Sequence, residues 1–162
     1  MTPQILVDQL KASKEYLDRA TSELSEADST YAPDDEAFTT AQQMSHIAKT
    51  VDWLMEGGFG EGFDMNFEEQ ATILRDIASL KGARSLCAQS YDNAIKLIAS
   101  KSTEEIFEPM PEGPIMGGDP KFVVVSVIVE HTAHHRGSLS TYTRLCGKVP
   151  PMPYADVEPS NA

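Results

Sequence analysis

Apolar residues return every three to four positions along most of the chain, the period of helices packed on a shared core. The first stripe is Leu6, Leu10, Leu17 and Leu24. Thr2 is placed to cap this helix, and Pro3 to hold its first position, where a missing N–H costs nothing. The polar, proline-containing run SEADSTYAPDDE ends it. A second helix is predicted from Thr39–Thr40, with Gln42 and Gln43 available to complete a capping box. Its stripe is Met44, Ile47, Ala48, Val51, Leu54 and Met55, and Gly57–Gly58 are expected to stop it. A long third helix is predicted from Phe67 to Ser100 through Ile73, Ile77, Leu80, Cys87, Tyr91, Ala94 and Ile98, interrupted only at Arg84.

Residues 101–119 are rich in proline and glycine and read as a loop, and Asp119–Pro120 then signal a new helix start. The run FVVVSVIV at 122–129 has strong β propensity on its own. Helical spacing nevertheless continues through Val124, Ile128, His131, His135, Ser138, Tyr142 and Leu145 until Gly147 and Pro150. One long helix explains both halves. The expected fold is therefore all-α, an antiparallel four-helix bundle with a long irregular loop before the last helix. Residues 1–150 would form a single domain and 151–162 a C-terminal tail.

With 41% hydrophobic and 23% charged residues, the composition is that of a globular protein able to fill a core. The net charge of −12 repels phosphate backbones and argues against a nucleic-acid partner. FVVVSVIV is too short to span a bilayer, and the start MTPQILVDQLKASKEY lacks the features of a signal peptide, so no membrane partner and a cytoplasmic location are expected. Cys87 and Cys146 match no CxxC pattern and read as free thiols. The glycine-rich GGFGEGFDMN lacks the P-loop lysine and its strand–helix context.

Three of the four histidines stand together in EHTAHHRG, residues 130–137. On a helix His131 and His135 lie one turn apart on one face, in phase with the apolar stripe. Two imidazoles so placed can each present a nitrogen to one ion at about 2 Å. The competing reading is a buried neutral pair, which needs separate hydrogen-bond partners for every ring nitrogen. His134 is rotated off their line and reads as a surface or supporting residue. His46, in the second helix, shares a side with Trp53 rather than with the stripe, so periodicity alone does not turn it toward the pair.

The run HTAHHRGSLSTYTRLCGKVPPMPY resembles the DinB (damage-inducible) family of small four-helix proteins, in its histidine–x3–histidine–Arg–Gly signature and its G-x-x-P-P exit. The stretch AQQMSHIAKTVDWL places His46 where that family carries a further histidine, seven residues before an aromatic. The resemblance covers nearly the whole chain. It implies a metal site formed by His46, His131 and His135, and a fold similar to bacillithiol transferases and mycothiol-dependent maleylpyruvate isomerases, commonly dimeric. Ser138 stands where the family usually has glutamine after Arg–Gly, which puts any role of that amide in doubt.

Three protein ligands with a position left open are the mark of a catalytic site, and the expected cofactor is one divalent transition ion: zinc or nickel first, iron or manganese as alternatives. Such an ion would acidify water, for hydrolysis, or a low-molecular-weight thiol, for transfer to a small-molecule substrate. The non-catalytic alternative is an ion that staples the bundle. His134, Arg136 and Tyr142 are candidates to support the ligands or touch substrate, with Glu130 and Asp52 weaker ones. Trp53, opposite the main stripe of its helix, suggests an apolar face for a homodimer, or else a wall of the metal pocket.

Overall fold

The computed structural model describes residues 1–155 and is all-α. The expected tail, 151–162, lies largely outside the described residues, from 156 on. Six helices follow in order: α1 (Pro3–Ala20), α2 (Thr40–Phe59), α3 (Phe67–Arg75), α4 (Leu80–Ala99), α5 (Thr103–Phe107) and α6 (Val123–Leu145). The long helices close a ring in which α1 packs on α4, α4 on α2, α2 on α6 and α6 on α1. Their shared interior holds Leu6, Leu10, Leu17, Met44, Ile47, Leu54, Ile98, Ile128 and Leu139, all essentially inaccessible to water. A buried chain of hydroxyls crosses this core. Ser13 lies 3.1 Å from the Tyr91 hydroxyl, which lies 2.7 Å from Thr132, joining α1, α4 and α6. Burial pushes the Tyr91 hydroxyl up to about 12, so it stays protonated and able to donate.

The single helix expected over 67–100 is two helices, α3 and α4, separated at 76–79. The break is made by distant residues. Ser79 caps α4 by accepting from Gly82 N, as its own sequence permits. Leu80 N and Lys81 N instead donate to Ser29 Oγ and Glu26 Oε2, in the turn after α1. Three of the four orphan donors of a helix start are thus satisfied at once. Arg84, the interruption in the stripe, points back across the same junction. Its guanidinium donates to Thr21 Oγ1 and to the carbonyls of Thr21 and Leu24, closing the C-terminal end of α1.

Gly57 and Gly58 do not stop α2, which runs on to Phe59. They allow close approach: a Cβ at Gly57 would sit 2.1 Å from the Phe63 ring, and one at Gly58 2.7 Å from Val124 of α6. The 101–119 stretch contains the short helix α5, capped by Ser102 and Glu105 in a reciprocal box. FVVVSVIV is helical from Val123 on, because α6 is entered through a turn at 120–122 tied to 106–110 rather than directly from Pro120. Gly147, with φ +76°, ends α6 as the pattern predicts.

Arg84→Met keeps the volume of the stem and removes all three hydrogen bonds to the end of α1. It should lower the unfolding free energy by about 2 kcal/mol, read as a shift in urea midpoint with an unchanged slope.

Candidate metal centre

The packing of α6 against α2 sets the site. The face of α6 that enters the core is Val124, Val125, Ile128, Thr132, Leu139, Tyr142 and Thr143. His131 and His135 therefore sit at the flank of the buried stripe rather than in its centre, and are half-buried. His46 is equally half-buried on α2, turned toward them. His131 Nε2 lies 3.1 Å from His46 Nε2, and one nitrogen from each of the three rings falls within 4.8 Å of the others. The ring centroids are 4.5–4.9 Å apart.

This arrangement passes a test of fit. Metal–nitrogen bonds of about 2.1 Å at 90–110° place neighbouring nitrogens about 3.0–3.4 Å apart, the range of the His46–His131 pair. The donor set is also in the right protonation state. Burial is the largest cause holding all three rings below the ordinary histidine value, and the neighbouring histidines add to it. His131 is pulled down to about 4 and His135 to about 3, so each offers a lone pair at neutral pH.

Gln43 is the residue the sequence reading misplaced. Only Gln42 makes the capping box, exchanging hydrogen bonds with Thr39. Gln43 turns inward, buried, with Oε1 3.4 Å from His135 Nδ1. That contact orients the ring and leaves Nε2 unengaged. The signal was available, because Gln43 precedes His46 by three residues and so shares its helix face.

The other candidates disperse. His134 is exposed, its ring 4.9 Å from that of His135. Tyr142 is buried beside Gln43 and donates to the Phe38 carbonyl at 3.1 Å. Arg136 lies toward α1, bonded to the Tyr154 hydroxyl at 2.7 Å and stacked near Tyr16 and Tyr154. Glu130 is exposed, and Asp52 accepts from Ser90 of α4, outside the histidine group.

A cavity of about 430 Å³ opens beside the histidines, lined by His46 and His131 together with α2 and α3 residues. Trp53 forms part of its wall. The indole packs on Phe63 and Phe67 and donates to the Asp64 carbonyl at 2.7 Å, the place of a pocket wall.

A model of the DinB family matches residues 3–161, nearly the whole chain. The chain belongs to the DinB family. No curated protein matches it. The match extends through both histidine-bearing helices of this DinB-family protein and on past Tyr154. None of its described helices is long and apolar enough to cross a membrane.

The depressed histidines make a pH prediction for the metal-free protein. At pH 7 the rings are uncharged in both states. Below about 6.5 the unfolded chain takes up protons that the folded site refuses until about 4 at His131 and about 3 at His135. Stability should therefore fall as pH drops from 6.5 toward that range. Between pH 6.5 and 5, above the ordinary carboxylate values, His135→Gln should show a shallower loss of melting temperature than the parent; equal slopes would contradict the assignment.

Proposed function

We propose that this protein is a metal-dependent enzyme whose divalent ion is held by His46, His131 and His135, and that it transfers a low-molecular-weight thiol to a small electrophile. The observation that carries the reading is the 430 Å³ cavity opening onto His46 and His131. An ion that only stapled helices would need no adjoining chamber of that size. When bound, the ion supplies positive charge that acidifies a thiol or water beside it. Zinc or nickel suits three imidazoles best, with iron or manganese as alternatives.

The chain's own residues do the positioning. Gln43 fixes the His135 ring, Phe38 packs 5.4 Å from the His46 ring, and the α3 wall screens one side of the site from water. The cysteines argue for an exogenous nucleophile. Burial drives the Cys87 thiol up to about 12, and Cys146 is also raised. A thiol needs a smaller shift than water to ionise near neutrality, which favours transfer over hydrolysis. We read the ring of four long helices as an antiparallel bundle forming one domain over 1–150, with a cytoplasmic setting in which both cysteines stay reduced. A homodimer rests on the family resemblance, now without Trp53 as its motive.

The non-catalytic reading has its own support, since the ligands come from two helices and an ion there would join α2 to α6. Purified protein should carry about one transition ion per chain. His46→Ala, His131→Ala and His135→Ala should each lose most of it, and His134→Ala almost none, by elemental analysis. Metal-loaded protein given bacillithiol, mycothiol or glutathione with a panel of electrophiles should turn over, and His135→Ala should lose at least about a hundredfold. Metal retention without turnover on any thiol or ester selects the staple.

A further inference from the structure

The cavity beside the histidines has a composition of its own. Trp53 of α2 and Phe67, Ile73 and Leu74 of α3 make most of its lining apolar. Two of these walls would otherwise be misplaced, because Phe67 and Ile73 are 50% and 47% exposed on a helix whose main packing partner is α2. Exposed apolar side chains gathered round one concavity mark a ligand site more than scattered ones do. Among the described residues no carboxylate lines it, in a chain with 25 acidic residues against 13 basic ones.

Among the described residues Lys49 is the one lining residue that carries a permanent charge. It follows His46 by three positions and precedes Trp53 by four, so all three share a face of α2. Lys14, Lys101, Lys121 and Lys148 each reach an acid; Lys49, like Lys11, Lys81 and Lys96, makes no ion pair among the described residues, and of these four it alone lines the cavity. A cation left unpaired at the edge of an apolar chamber is complementary to one chemistry.

We propose that this cavity binds a substrate with an apolar body of aromatic size and one anionic group, the body against Trp53, Phe67, Ile73 and Leu74 and the anion at Lys49. The assignment rests on the histidines being the reaction centre, because His46 and His131 form the cavity's inner wall and the reacting atom would face them.

Trp53 is the sole tryptophan, so its fluorescence reports occupancy directly. The probes are 4-phenylbutyrate, 4-phenylbutanol and 4-phenylbutylamine, titrated into protein as purified and after chelation. All three should change the emission. The acid should bind roughly fivefold tighter than the alcohol, the advantage of one exposed ion pair, and the amine weakest. Lys49→Gln should erase the acid's advantage and leave the alcohol unchanged, and Ile73→Ser, at a half-exposed position, should weaken all three together. No response from Trp53, an alcohol that equals the acid, or an advantage that survives Lys49→Gln would each overturn the proposal. An advantage seen only with metal present would give the anion to the ion and overturn the role of Lys49, with the metal reading intact. The full pattern in protein found to carry no transition ion as purified would keep the cavity's chemistry and sink the metal reading instead.

Discussion

Two imidazole nitrogens that lie 3.1 Å apart in a half-buried corner cannot both belong to charged rings. That constraint governs the surroundings of the three histidines. It requires α2 and α6 to pack closely enough to exclude water, yet to leave the rings at the flank of the core, where one side stays open. Gly58 admits Val124 of α6 against α2, and Gln43 gives His135 an uncharged partner. Fully buried rings would have no access for a ligand, and fully exposed ones would not be held below the ordinary histidine range.

The frame that holds this corner depends on interactions made far along the chain. Arg84 closes the end of α1, and Ser29 and Glu26 open α4, so a single junction between two helices is tied in both directions. Tyr91 then links α4 to α1 and α6 through hydroxyls at the core's centre. The residue beside Thr132 is His131. The same turn of α6 therefore carries a core anchor on one side and a site residue on the other, which couples the position of the ring to the packing of the bundle.

Most of the fold was legible because it is written locally. The stripes of α1, α2 and α4 name their own buried residues, and Thr39 with Gln42 and Gly147 mark real ends. Of the α6 stripe only Val124, Ile128 and Tyr142 are buried, while His131, His135 and Ser138 lie at its flank and Leu145 is exposed. The break between α3 and α4 was not legible, since Ile73, Ile77 and Leu80 keep a helical spacing across it. Ile73 belongs to the cavity rather than the core, and the donors of α4 find acceptors some fifty residues away, at Glu26 and Ser29. The helix α5 was visible in Ser102 and Glu105 but hidden by the prolines and glycines that follow it at 109–118. At the site, the i and i+4 histidines could be read from spacing. His46 could not, because what turns it inward is the rotation of α2 against α6, a property of the packed pair and of neither sequence segment alone.

The arrangement of α3 has an evolutionary consequence. This helix supplies one wall of the cavity and packs mainly on α2, while residues of α2 and α6, the histidines among them, supply the rest. The apolar wall of the cavity and the central core thus reside largely in different parts of the molecule. Substitutions at Phe67 or Ile73 can reshape the chamber without opening a hole in the central core, so new ligands can be sampled at little risk to the scaffold. A small helical protein built this way can change the lining of its cavity while the packing around its histidines stays the same.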